Sequence, residues 1–313
     1  HAGFILNWDV GTTFTYHRIL KKGESWDQID PTEAIQNVLG AKTNIELIST
    51  QPWSAHALVS ERYHKGRVFL AGDAAHLFTP TGGFGMNTGV SDAIDLAWKI
   101  EAAIKGWGGR YILDSYFEER HAIGVRNTLE AANCFDELKN VMKYGDELES
   151  ESQDSIEFQN NLRKNLKNQL KLISSSGTLL GYRYSDSKIV VPDGTAEPVD
   201  DPRKYKPIAR PGHRAPHVWL GKGVSLLDKL GSHFTLICFV AIDQTVRKFK
   251  ESCDQTKFPI TILEVRDSDA LEIYESNYCI IRPDLMVAWR GQLMPEDSLE
   301  VIDRIRGANS QEP

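Results

Sequence analysis

The stretch "RVFLAGDAAHLFTPTGGFGMNTG", residues 67–89, decides the fold. Val68, Phe69 and Leu70 run into Gly72-Asp73, and a proline and a cluster of glycines follow. The pattern predicts a short buried strand over 66–73 that stops where a backbone meets a ligand. An acid just past a strand end sits where open α/β sheets bind ligands. Asp73 only accepts hydrogen bonds, so it suits the hydroxyls of a ribityl or ribose chain and repels phosphate. Gly82, Gly83 and Gly85 leave the backbone bare, so a flat ligand can approach closely. A helix beginning near Met86-Asn87 presents unpaired N–H groups and a positive dipole end. A ligand oxygen that gathers negative charge is favoured there.

The loop does not match a phosphate cradle. It has no lysine and no G-x-x-x-x-G-K-[ST], and its nearest approach to G-x-G-x-x-G, from Gly83 to Gly89, has the wrong spacing. It can hold a cofactor's ring and sugar-like chain, but nothing in the chain is read as holding a dinucleotide's adenosine half. Taken alone, Gly72-Asp73 reads as an ordinary strand-to-helix turn.

The rest of the chain narrows the function further. Its 313 residues suggest two domains, or one with an extension. The net charge of −7 argues against nucleic acid, which needs a basic face. No apolar run approaches the roughly 20 residues of a membrane span. Cys134, Cys238, Cys253 and Cys279 are scattered, with no C-x-x-C, so neither zinc nor a dithiol centre is signalled. They read as small buried hydrophobes in a reducing, cytoplasmic setting. His213 and His217 flank Pro216, which argues against a helical metal pair, and no metal site is expected. No Ser-His-Asp set or paired carboxylates suggest hydrolysis. The chain begins with His1 rather than Met and is read as lacking its natural N-terminus.

Periodicity gives the elements. "FILNWDV" and "TFTYHRIL" read as strands around Gly11-Thr12. Residues 30–40 read as a helix capped by Asp30, with Pro31 in its first turn and Gly40 at its end. Residues 45–63 suggest one or two more strands. Residues 91–106 read as a helix with a buried stripe of Ala93, Ala97, Ile100 and Ile104. Residues 113–135 continue as helix, carrying Arg120 and Arg126. The acidic run at 145–157 and the basic positions Arg163, Lys164, Lys167 and Lys171 read as solvated, with Leu162, Leu166, Leu170 and Ile173 as a buried stripe. Residues 190–212, rich in Pro, Asp and Gly, read as an extended connector. A small α/β unit of order β-α-β-β-β-α closes the chain.

Residues 66–100 closely resemble the second FAD-binding motif of the class A flavoprotein monooxygenases, the family of para-hydroxybenzoate hydroxylase and phenol hydroxylase. "RPGHRAPHVWL", "GVSLLDKLG" and "IIRPDLMVAWRG" resemble the thioredoxin-like C-terminal domain of the phenol hydroxylase branch, which lacks a dithiol. The resemblance implies a mixed α/β fold in four parts. These are substrate-domain strands (1–60), the second FAD motif with its helices (61–173), a connector (174–210) and a thioredoxin-like domain (211–313).

The resemblance also implies an enzyme that uses FAD, with NAD(P)H as co-substrate, to hydroxylate a phenolic or other small aromatic molecule with O2 through a C4a-hydroperoxyflavin. Asp73 then meets the ribityl chain and approaches the pyrophosphate, Gly72 beside it is a further cofactor-binding position, Gly82, Gly83 and Gly85 line the ring, and Met86 and Asn87 offer N–H groups to N1 and O2. Pro80 is the implied catalytic position, its carbonyl beside C4a. His76 matches a motif histidine whose plain alternative is a structural hydrogen bond. A homodimer is allowed. Phe14, Tyr16 and Trp53 are expected to pack in a core, with a substrate pocket as their alternative. The Rossmann segment typical of the family is absent from these residues, so the chain alone is expected to be inactive. Two alternatives remain: a non-catalytic binding module, and an FAD-dependent reductase or epoxidase sharing the motif.

Overall fold

The structure, a computed structural model, describes residues 3–142, 156, 159–161, 163 and 175–308. The chain divides into two compact units, residues 1–55 with 135–170 and residues 56–134 with 171–313. Of the acidic run only Ile156 is described, and the expected stripe Leu162, Leu166, Leu170 and Ile173 lies outside the described residues, as do Lys164, Lys167 and Lys171.

In the first unit, β1 (Gly3–Asn7) and β2 (Phe14–Arg18) pair antiparallel, with Gly3 opposite Arg18. Asp9 ties their turn together by accepting from the N–H groups of Thr12 at 2.9 Å and Thr13 at 2.8 Å. The Thr12 and Thr13 bonds hold its carboxyl well below the usual carboxylate range. Helix α1 (Pro31–Leu39) starts where Asp30 accepts from the N–H groups of Thr32 and Glu33 at 2.8 and 3.1 Å. It stops at Gly40, whose φ of 66° favours glycine. Residues 41–57 form no regular element, and of the one or two strands expected over 45–63 only the two-residue β3 (Leu58–Val59) forms. Phe14 and Trp53, expected in a core, are 53% and 67% exposed, while Tyr16 is half-buried.

The second unit holds the decisive stretch. β4 (His64–Lys65) pairs with β5 (Val68–Phe69), and β3 pairs with β6 (His76–Leu77). The expected buried strand is thus two residues long, and Val68 is 67% exposed. Its one ladder partner among the described residues is β4.

Helix α2 (Phe84–Lys105) begins two residues before the start expected near Met86-Asn87 and seven before the periodic stretch that opens at Ser91. Its buried face is Phe84, Thr88, Asp92, Asp95, Trp98, Lys99 and Ala102. The expected stripe is reversed: Ala93, Ala97 and Ile104 are exposed and Ile100 is only half-buried. Apolar periodicity picked the wrong face because the burial of Asp92, Asp95 and Lys99 depends on charged partners distant in sequence. Helix α3 (Asp114–Met142) follows. Residues 181–218 run largely without regular structure after the short α4 (Ser176–Leu180), as expected of a connector, yet Tyr182, Tyr184 and Ile189 are buried.

The closing part places hairpin β7 (Trp219–Gly221) and β8 (Val224–Ser225) before a four-stranded sheet. Its strands are β9 (Phe234–Cys238), β10 (Ile260–Glu264), β11 (Tyr278–Ile281) and β12 (Val287–Gly291), in the order β10-β9-β11-β12. β9 and β10 are parallel and the other pairs antiparallel. Helices α5 (Gln244–Gln255), α6 (Ser268–Tyr274) and α7 (Ser298–Ile305) complete it. The expected order omitted α6, a seven-residue helix capped by Asp267.

The two-residue alternation of a strand divides the core. Phe234, Leu236 and Cys238 join Trp98, Ala102 and Trp107 with α5 and α7. Ile237 joins Val218, Leu226, Tyr274, Cys279 and Val287 in a second cluster. The end of α2 is therefore part of the sheet's core. All four cysteines are buried without a disulfide, and burial pushes the Cys238 and Cys253 thiols up to about 12. Among the described residues no group of side chains could hold a metal ion, and no helix is long and apolar enough to cross a membrane.

Candidate functional site

The eight sequence-predicted site residues meet at the start of α2. Gly72 and Asp73 lie on a 3-10 turn (Gly72–Ala74), not at the mouth of a parallel sheet. Gly72 has φ +57°, and its Cα faces Gly89 so closely that a Cβ on Gly89 would lie 3.1 Å from it. Asp73 is exposed. Pro80 is exposed at the head of a second 3-10 turn, Thr81–Gly83.

Gly82 and Gly83, with φ of 80° and 66°, swing the chain from that turn into α2. A side chain at Gly82 would strike the Phe84 ring, whereas a Cβ at Gly83 would meet open space. Gly83 is the N-cap of α2 and supplies no side-chain cap, so the opening N–H groups of the helix rely on other partners. Met86 is 77% exposed there, and the Asn87 side chain donates back to the Gly83 carbonyl at 2.8 Å.

Two anchors fix this loop. The buried Phe84 packs with Ala131 and Cys134 of α3, and the Thr81 hydroxyl donates to the Ala131 carbonyl at 2.7 Å. Beneath the Asp73 turn, Asp92 accepts from the Gly72 N–H at 3.1 Å, meets His76 Nε2 at 2.6 Å and accepts from Arg120 Nε at 2.7 Å. Burial pulls the Asp92 carboxyl up, but the His76 bond and the Arg120 charge outweigh it and hold it low. His76 thus has the structural hydrogen bond that was its plain alternative.

Sequence reasoning missed the charged floor under this site. Asp92, Asp95 and Lys99 recur on one face with Phe84 and Thr88, a helical spacing that was visible but reads by default as a solvated face. Lys99 donates to Asp95 at 2.8 Å and to Glu119 at 2.6 Å. Arg282 closes the cluster through Asp95, Glu119 and Asp284. Burial raises the Asp95 carboxyl to about 8, since its contacts with Lys99 and Arg282 do not offset lost hydration. Glu119 is equally buried, but Arg282 and Lys99 hold it well below the usual range. The donor sets explain the split. Glu119 accepts twice from Arg282, once from Lys99 and once from Ser187, whereas Asp95 accepts once each from Lys99 and Arg282.

Residues 13–131 match the FAD binding domain, and residues 209–308 match the C-terminal domain of aromatic-ring hydroxylases. The FAD-dependent monooxygenase apdD of Emericella nidulans is 30% identical over 99% of this chain and 53% of its own length. The 4-methyl-5-nitrocatechol 5-monooxygenase of a Burkholderia species is 30% identical over 81% of this chain and 45% of its own length. Among solved structures, the flavin-dependent monooxygenase PieE in complex with FAD and substrate aligns at TM-score 0.82 and 27% identity, covering 95% of this chain and 57% of that one. The rebeccamycin biosynthetic enzyme RebC with reduced flavin aligns at 0.81 and 31% identity, covering 90% of this chain and 53% of that one. The chain spans about half the length of the curated relatives it matches.

Proposed function

Since the chain belongs to the family of FAD-dependent aromatic-ring hydroxylases, we propose that it supplies the flavin-ring side of an FAD-dependent monooxygenase. The reaction we assign hydroxylates a phenolic or other small aromatic molecule with O2 and NAD(P)H. The observation that carries this reading is the uncapped start of α2, bare at Gly83 and set beside the exposed Asp73 turn.

This donor set fits the group. Asp73 would accept from ribityl hydroxyls. Gly82, Gly83 and Gly85 would let a flat ring lie against backbone. Of the opening N–H groups of α2, that of Met86 would hold the pyrimidine oxygen, with Asn87 beside it, and the helix start would favour negative charge there. Pro80, exposed at the turn, would offer its carbonyl at the reacting edge. When bound, FAD supplies the chemistry itself, accepting hydride from NAD(P)H and activating O2. The chain's own part is to orient the ring and to exclude water.

The four-part division at 60, 173 and 210 belongs to the same reading. The order β10-β9-β11-β12, with one parallel pair, supports a thioredoxin-like closing domain. The buried, reduced cysteines support a cytoplasmic setting, and a homodimer is consistent with the reading.

The test is FAD titration of the intact protein by flavin fluorescence, followed by NAD(P)H oxidation with a panel of phenols. Hydroxylated product that tracks NAD(P)H use supports the monooxygenase. NAD(P)H consumption without such product favours the reductase alternative. A folded preparation that takes up no FAD refutes both and leaves the binding-module reading.

A further inference from the structure

We infer that the C-terminal sheet holds the flavin-side helix α2 in place, with Arg282 as the positioning residue; this rests on the FAD reading above. Arg282 opens the turn between β11 and β12 and is buried. Its NH1 donates to Glu119 at 2.6 Å, and its NH2 lies 2.8 Å from both Glu119 and Asp95 and 2.6 Å from Asp284. Among the described residues it is the one cation that reaches all three acids; Lys99 reaches two.

The contacts continue to the site. The Arg282 guanidinium lies over the Trp98 and Tyr184 rings, 5.0 and 5.1 Å from their centroids. The Tyr184 hydroxyl accepts from Arg120 at 3.0 Å, Arg120 donates to Asp92 at 2.7 Å, and Asp92 accepts from the Gly72 N–H at 3.1 Å. Gly72 adjoins Asp73. Every step from the β11–β12 turn to the Asp73 turn is thus a hydrogen bond or a ring contact, made by buried side chains as far as Asp92 and completed by the half-buried Gly72 amide.

A second tie lies at the far end of α2. The Gly109 N–H donates to the Arg306 carbonyl at 2.6 Å and the Tyr111 N–H to the Gly307 carbonyl at 3.1 Å, joining the segment after α2 to the end of α7. The sheet therefore grips α2 in its middle through charge and beyond its end through backbone. Asp92 and Asp95 face this grip from the same helix that begins at the glycine loop, so a shift of α2 carries the loop with it. The closing domain needs no redox or metal chemistry for this role.

The test uses the intact protein with Arg282→Lys, Arg282→Met and Tyr184→Phe. FAD affinity by fluorescence titration and the visible flavin spectrum are read well below each variant's melting temperature. Arg282→Met is expected to weaken FAD binding roughly three- to thirty-fold and to alter the spectrum. Arg282→Lys should recover part of the loss. Tyr184→Phe should weaken FAD binding with little change in melting. A folded Arg282→Met that melts lower yet keeps wild-type FAD affinity and spectrum overturns the inference, because the cluster is then merely stabilising. If Arg282→Met fails to fold, Tyr184→Phe decides, and unchanged affinity overturns the inference. If the wild-type protein binds no FAD, the cofactor reading fails first. Hydrogen exchange at the Gly72 amide then tests the grip alone: faster exchange in Tyr184→Phe supports it, and unchanged exchange overturns it.

Discussion

Replacing Asp95 with Asn should raise stability at pH 7, although Asp95 is completely buried among four other ionisable side chains. The cluster contains three carboxylates, Asp95, Glu119 and Asp284, and two cations, Lys99 and Arg282. Fully ionised it carries one excess negative charge in a dry site, which is expensive. One bound proton neutralises it, and Asp95, with the poorer donor set, holds that proton with a pKa of about 8. Asn then replaces a neutral acid of the same shape, so below about pH 4, where Asp95 is protonated in both states, the two proteins should differ by no more than about 1 kcal/mol.

The sign of the pH dependence follows. The folded value lies above the unfolded value of 3.8, so the folded state binds the extra proton between those limits. Stability from this group is full below about pH 4 and is lost as pH rises through 8, at about 1.4 kcal/mol per pH unit inside the window. Denaturant unfolding of both proteins from pH 5 to 9 measures this. The wild type should lose stability relative to Asp95→Asn as pH rises. If Asn costs more than about 3 kcal/mol at pH 7 and the two curves run parallel, Asp95 is ionised in the native protein and the reasoning is wrong.

Other outcomes are equally checkable. Gly89→Ala gains about 1 kcal/mol of helix propensity but sets a Cβ 3.1 Å from Gly72. It should leave melting unchanged or raised while weakening FAD binding, as calorimetry and titration would show. Glu119→Gln removes a carboxylate that two cations share and should destabilise by about 3–5 kcal/mol in denaturant unfolding. Asp30→Ala loses the α1 cap, about 1 kcal/mol, seen as faster amide exchange over residues 32–36. Cys238 and Cys253 should resist thiol reagents in the native protein and label on unfolding, since burial keeps both as thiols.

Local chemistry was legible residue by residue. Asp30, Pro31 and Gly40 mark the limits of α1 because caps act within one turn. "FTLIC" and "VAWRG" declare strands through their alternation and branching. The glycine loop announced itself because Gly82 and Gly83 adopt backbone angles that other residues avoid. The strand expected at 66–73 shrank to two residues because its one ladder partner among the described residues, β4, is itself only two residues long. The face of α2 was misread for a related reason. Hydropathy ranks Ala93, Ala97 and Ile104 as core and Asp92, Asp95 and Lys99 as surface, and that ranking holds only for unpaired charges.

The family was legible in residues 66–100 through their resemblance to its second FAD-binding motif, and the class of ligand was legible there because the demands of a flat, hydroxyl-bearing ligand are local: bare backbone, one acceptor, one helix start. What supports those residues could not be read there. Arg120 lies 28 residues from Asp92, and Arg282 lies 163 residues from Glu119 and 187 from Asp95. Only folding brings these charges to within hydrogen-bond distance. There, each makes burial of the others tolerable, because desolvation falls on every charge singly while compensation comes from its partner in space.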